Sequence, residues 1–242
     1  MRAWHLTFLA ILGAALLAPS NSAIAGGKRP VVAELFTSQG CSSCPPADAL
    51  LSRLADRKDV IALSLPITYW DMLGWKDTLA SEDNTRRQKA YAQFMGRGGV
   101  YTPEMIIDGA SDIVGSREEA IESAIDARAA DEHAMPVSLS ASNHELHVYV
   151  GAADDRPAEA TVWLLEILEK ASVGIRAGEN EGRTMTYRNV VRSIKAVGIW
   201  KGQALTLDLP RNDLVGEPHD AVAIIVQQNG YGRILGAAIA EP

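Results

Sequence analysis

Between Pro30 and about Ala130, short unbroken apolar runs alternate with segments whose apolar residues recur at helical spacing. Val31 to Phe36 (VVAELF), with Pro before it and Ser-Gln-Gly after, predicts a buried strand. Ala47, Leu50, Leu51 and Leu54 form one helical stripe. Val60 to Ile67 predicts a second buried strand, frayed or at an edge where Pro66 lacks an N–H for the ladder. Ser81, Glu82 and Asp83 mark the start of a polar helix running to Met95. Met105 to Asp108 reads as a short strand that turns at Gly109. Ser116 is expected to cap a last helix, with Glu118 and Glu119 in its first turn and Ile121, Ala124, Ile125 and Arg128 on one face.

From Pro136 onward the helical texture disappears. Val137–Ser142, Glu145–Val150, Thr161–Leu168, Thr186–Ile199, Ala204–Leu209, Ala221–Val226 and Ile234–Ala240 read as strands separated by Gly, Asn, Asp and Pro. Short strands at this spacing predict an antiparallel sandwich. The expected fold class is therefore α/β plus β. It consists of an α/β domain over residues 26–133 and a β-sandwich-like antiparallel domain over 134–242, with the boundary near Asp131–Pro136.

The N-terminus has its own signature. Arg2 precedes the uncharged run Leu6 to Leu17, Pro19 breaks that run, and Ala23-Ile24-Ala25 offers small residues to a signal peptidase. The run is shorter than the ~20 residues that span a bilayer, so residues 1–25 are expected to be a cleaved signal peptide. The mature chain is then periplasmic or secreted, with no membrane partner. Composition is ordinary for a globular protein, at 47% hydrophobic and 22% charged. The formal charge of −7 has the wrong sign for releasing phosphate counterions, so nucleic acid is not an expected partner.

The chain has two cysteines, both in Cys41-Ser42-Ser43-Cys44. As a structural staple this disulfide would do little, because the loop it closes is so short. Zinc normally takes four ligands, and His144 and His147, three apart on a strand, point to opposite faces, so neither metal nor cofactor is expected. A C-x-x-C after a buried strand and before a helix is a thioredoxin-like redox signature. Positive potential and unpaired N–H groups at the helix start stabilise a thiolate, which attacks a disulfide while the neighbouring thiol resolves the intermediate. By position Cys41 is the exposed attacker and Cys44 the resolver. Pro45 and Pro46 complicate this, because a helix beginning at Pro45 makes Cys44 its cap and turns the dipole argument toward Cys44. Thr102-Pro103, just before the Met105 strand, is where such a fold carries a cis proline beside the cysteines, shaping the substrate groove.

The stretch Leu35 to Asp48 (LFTSQGCSSCPPAD) resembles a bacterial secreted thioredoxin-like family catalogued as a domain of unknown function. Further matching stretches are Tyr69-Trp70-Asp71, Leu73 to Asp77, Tyr101-Thr102-Pro103, Gly178 to Arg183 and Asn189-Val190-Val191. The resemblance implies a thioredoxin-like domain with a β-rich extension and brings no substrate. The chain departs from it at Thr78, where Pro is expected, and at Glu104, where Gln is expected. Glu104 would add negative charge beside the proline loop and raise a nearby thiol pKa.

Tyr69, Trp70, Asp71 and Trp75 follow the second strand, where ligands bind in α/β sheets. Together with Thr102 and Pro103, Tyr69, Trp70 and Trp75 are the expected substrate-binding residues, although packing onto the core or under the β-rich half is the favoured reading of the aromatics. Glu179 to Arg183 reads as a polar turn with too few oxygens for Ca²⁺. Asn189 and Arg192 are expected to face solvent or local backbone. The leading expectation is an exported thiol–disulfide oxidoreductase acting on a protein or small-thiol redox partner, with Cys41 and Cys44 catalytic. Two alternatives stay open: a non-catalytic extracytoplasmic binding module with a passive disulfide, and a Cu(I)-handling protein using two soft thiolates.

Overall fold

The computed structural model describes residues 29–131, 135–142, 144–153, 159–210, 219–228 and 231–240; the expected signal peptide lies outside them. The first half runs β1 (Val31–Thr37), α1 (Pro45–Leu54), β2 (Val60–Pro66), a 3₁₀ turn (Asp71–Leu73), α2 (Glu82–Phe94), β3 (Glu104–Ile107), β4 (Ser111–Val114) and α3 (Glu118–Ala129). The second half supplies β5 (Val137–Ala141), β6 (Glu145–Val150), β7 (Ala160–Gly174), β8 (Thr184–Trp200), β9 (Leu205–Pro210), β10 (Ala221–Gln228) and β11 (Ile234–Ala240). The fold is mixed α/β.

Eight strands form one sheet in the order β11-β10-β7-β8-β2-β1-β3-β4. β1 and β2 pair in parallel, and β2 meets β8 in parallel through Ser64 and Val190. β1 and β2 are buried along their whole length, the burial that an unbroken apolar run anticipates for a strand covered on both faces. β2 lies inside the sheet, not at an edge. Pro66 ends it harmlessly, and its carbonyl accepts bonds from Ser81 N (3.2 Å) and Asn84 Nδ2 (3.1 Å).

The antiparallel strands expected over residues 134–242 form two packed layers, and one of these layers is continuous with the first half. β7, β8, β10 and β11 extend the first half's sheet, while β5, β6 and β9 make a three-stranded sheet packed across it. The reason is visible in β10, which is buried on both faces and needs a cover on each. Val222, Ile224 and Val226 pack against Leu146, Val148 and Val150 of β6. Ala221, Ala223 and Ile225 join a core that continues to Phe36, Leu63 and Tyr91 in the first half. The two halves thus share one sheet and one core. α1 and α3 cover the opposite face at the β1–β3 end, through Leu50, Leu51, Leu54, Ile121 and Ile125.

A buried charge cluster ties the halves together. Arg87 of α2 donates from Nε to Glu34 of β1 at 2.6 Å, Tyr91 Oη donates to the same carboxylate at 2.5 Å, and Gln227 of β10 donates to Tyr91 Oη at 2.8 Å. The Arg87 guanidinium also lies 5.9 Å from the Trp163 ring and 5.8 Å from the Tyr231 ring, both second-half residues.

Helix starts are partly as expected. Ser81 caps α2 by accepting from Asn84 N at 3.1 Å. Ser116 does not cap α3: the cap position falls on Arg117, which makes no side-chain cap bond. β4 was not anticipated, because its four half-buried residues carry little apolar pattern.

Candidate functional site

β1 ends at Thr37, and the chain turns through Ser38–Gly40 into the cysteine pair, with Cys41 N donating to Ser38 O and Cys44 N to Cys41 O, each at 3.2 Å. α1 starts at Pro45, where a missing N–H costs nothing, so Cys44 occupies the cap position without a side-chain cap bond. Cys41 and Cys44 are disulfide-bonded, with Cα atoms 5.4 Å apart. Both are 0% exposed, although Ser42 and Ser43 between them are open to solvent. The expectation of an exposed Cys41 is therefore corrected.

The proline loop lies beside this pair. The Thr102–Pro103 bond is cis. Ser43 Oγ sits 3.3 Å from Cys41 Sγ and 3.5 Å from the Thr102 carbonyl. Gly115 holds the loop from behind, its N–H donating to Pro103 O at 2.9 Å. A Cβ on Gly115 would fall 2.8 Å from Leu35 Cδ1 and 3.1 Å from both Ala47 and Pro103, so only glycine fits between β1, α1 and the loop.

The expected aromatic residues gather here as well. Trp70 Nε1 donates to Thr102 Oγ1 at 2.7 Å, and Tyr69 tilts against Trp70 with ring centroids 6.5 Å apart. Trp75 Nε1 donates to Gln39 Oε1 at 2.8 Å. All three rings are half-buried and packed on apolar clusters, so each is core on one side and site wall on the other. Thr78 N also donates to Gln39 Oε1, at 3.4 Å, a bond the proline expected at this position could not make.

The second half is bonded to the cysteine loop. β7 and β8 run on past the end of β10, and the tip of this ribbon reaches the cysteines. Asn180 Nδ2 donates to both Gln39 O and Cys41 O at 2.9 Å, and the Glu179 carboxylate accepts from Ser42 N at 3.1 Å. Hydrogen bonding from the Ser42 side chain, and then from its backbone N–H, holds the Glu179 carboxyl below its usual range. Gly178, with φ +81°, brings the turn close to Trp75, whose Cβ would lie 3.3 Å from an added Cβ. Sequence reasoning identified residues 179–183 as a turn and missed its target, because no local signal connects Asn180 to Cys41.

Two buried acids flank the pair. Burial pushes the Asp48 carboxyl up to about 7; the bond from Thr37 Oγ1 (2.8 Å) opposes the shift and nearby Asp77 adds to it. Asp77 is also raised by burial while accepting from Gln39 N and Leu79 N at 2.8 Å. Glu104 has partners of its own. It lies on the α2 face of β3, buried against Gln88 Nε2 (2.6 Å) and paired with Arg97, whereas Met105 faces α1. Burial raises its carboxyl to about 7, and Arg97 balances the charge.

Asn189 and Arg192 are not locally satisfied. Asn189 Nδ2 donates to Ala62 O at 2.9 Å, and Arg192 Nη1 to Leu79 O at 3.1 Å, which fastens β8 to the first half. Elsewhere, Glu145, His147 and Asp208 bring ligand atoms within 4.8 Å of one another on the open face of β6 and β9. His144 takes no part.

The family described as Protein of unknown function (DUF1223) matches residues 32–227, and the chain belongs to that family. The crystal structure of protein AGR_C_4864 from Agrobacterium tumefaciens is similar, with a TM-score of 0.78 and 34% identity; the match covers 87% of this chain and 93% of that one. HBP35 of Porphyromonas gingivalis shares the fold alone, with a TM-score of 0.60 and 14% identity over 88% of this chain and 75% of that one. No curated protein is significantly similar.

Proposed function

We propose that this protein is an exported thiol–disulfide oxidoreductase built on a thioredoxin-like arrangement, with Cys41 and Cys44 as its exchanging pair. The observation that carries the reading is the placement of a Cys41–Cys44 disulfide at the start of α1, with Ser43 Oγ between Cys41 Sγ and the carbonyl that precedes cis Pro103. In the reduced protein, the Cys41 thiolate attacks one sulfur of a substrate disulfide, forming a mixed disulfide and expelling a substrate thiolate. The Cys44 thiolate then attacks Cys41 Sγ, expels the second substrate thiolate and closes the Cys41–Cys44 bond. Two electrons pass to the substrate, and the reverse sequence oxidises a dithiol. The Ser43 hydroxyl, 3.3 Å from Cys41 Sγ, can donate to a Cys41 thiolate, which supports Cys41 as attacker. Thr102, Pro103, Tyr69, Trp70 and Trp75 would line the substrate's approach. Export supports the chemistry, since the leader-like residues 1–25 direct the chain to a compartment where disulfides persist.

Turnover of a disulfide-bonded peptide tests this. Cys41→Ser and Cys44→Ser should each abolish it, and activity that survives Cys41→Ser would overturn the attacker role.

One observation favours the second reading, a binding module with a passive disulfide: neither sulfur is exposed. A passive pair predicts that the chain binds a partner equally well when both cysteines are replaced by serine.

A further inference from the structure

The tip of the β7–β8 ribbon contacts the cysteine loop in a way that packing alone does not require. The base of the ribbon is fixed, because Ile175, Met185 and Tyr187 pack with Leu79 and Trp75. The tip is a tight turn: Glu181 N donates to Gly178 O within it, while Gly182 N to Ile175 O and Ile175 N to Arg183 O join it to the base, leaving Ile175 as the point about which residues 178–182 would hinge. It is held to the cysteine loop by the two Asn180 bonds and the Glu179–Ser42 bond. Asn180 is 1% exposed and its Oδ1 has no hydrogen-bond partner among the described residues, so the closed position leaves one polar atom unsatisfied. A tip held to its neighbour by a few hydrogen bonds can open locally at a free energy far below that of global unfolding.

From this geometry we infer that residues 178–182 form a gate over the Cys41–Cys44 disulfide, latched by Asn180 and Glu179, and that sulfur chemistry takes place only when the gate lifts. The inference rests on the redox reading for its biological use, but not for its physical test. It also reconciles an exchanging pair with two fully buried sulfurs: the second half controls access to a site the first half builds.

The test is the rate at which a small neutral reductant, tris(hydroxypropyl)phosphine, opens the disulfide of the oxidised mature protein. The phosphine becomes its oxide with oxygen from water, and the two thiols released are counted by alkylation. Asn180→Ala removes two latching bonds and should speed reduction roughly thirtyfold, since each net bond is worth about 1 kcal/mol and about 1.4 kcal/mol is tenfold. Glu179→Ala, an exposed change at the turn, should speed it about fivefold and decides the matter if the Asn180 variant does not fold. Glu181→Ala, in the same turn, should leave the rate unchanged. Rates equal to wild type in both latch variants overturn the gate, whatever the enzyme assay shows. Faster reduction in variants that turn over no peptide disulfide upholds the gate and removes the oxidoreductase reading.

Discussion

Asn180 Nδ2 donates to the carbonyl of Cys41 at 2.9 Å, across 139 residues of intervening chain. The bond joins the turn of a second-half ribbon to the loop that carries both cysteines. It fastens the second half to the candidate chemistry of the first, and several measurable properties follow from that arrangement and its surroundings.

The buried Asp48 gives the protein a pH dependence of definite sign. Its carboxyl ordinarily ionises near 3.8 and is raised to about 7 in the fold, chiefly by burial. Below about pH 4 the group is protonated in both states and contributes no slope. Between about 4 and 7 the unfolded chain has lost this proton and the native chain keeps it, so stability falls as pH rises. Above about 7 both states are ionised and the loss, of order 4 kcal/mol, stays constant. Asp48→Asn should lessen the dependence of the urea midpoint on pH across that window, with Glu104, raised by burial to about 7, keeping a remainder; a slope equal to wild type would assign the effect to another group.

Gly115 is the point where β1, α1 and the proline loop meet. Gly115→Ala forces a methyl to within 2.8 Å of Leu35 Cδ1, and overpacking of this kind costs about 1–3 kcal/mol. The predicted outcome is a lower denaturation midpoint together with altered backbone NMR shifts at Thr102 and Pro103.

Arg87 is 2% exposed and neutralises the buried Glu34. Arg87→Met leaves that carboxylate without its cation, for a loss of roughly 3–5 kcal/mol. The double variant Arg87→Met with Glu34→Gln should recover much of it, as a double-mutant cycle in chemical denaturation would show.

Trp70 connects the aromatic wall to the proline loop through its bond to Thr102 Oγ1. Trp70→Phe keeps most of the apolar contact and removes the donor. Under the exchange reading, kcat/KM for a peptide disulfide should fall about fivefold, the equivalent of one hydrogen bond of about 1 kcal/mol.

Much of the secondary structure was legible because its causes are local. The apolar runs of β1, β2 and β10 and the alternation of β6 and β9 mark strands wherever they pair. β7 was read as ending at Leu168 because the alternation loosens where the ribbon leaves β10, yet the strand continues to Gly174. The topology was not legible: the Ser64–Val190 pairing that merges the two halves spans over a hundred residues and has no sequence signature. The same holds at the candidate site. The C-x-x-C and the cis Pro103 could be read from their neighbours, but the bonds that join the cysteine loop to Asn180 and Glu179 could not, nor could the strand alternation that directs Glu104 toward Arg97.

The central proposal, that this cysteine pair exchanges electrons with a partner, is tested most directly by titrating the thiols of the reduced protein through their ultraviolet thiolate absorbance. An exchanging pair should show one thiol, assigned to Cys41 by its disappearance in Cys41→Ser, with a pKa well below the free value of ~8.5. Two thiols titrating at or above that value would leave the pair a passive crosslink.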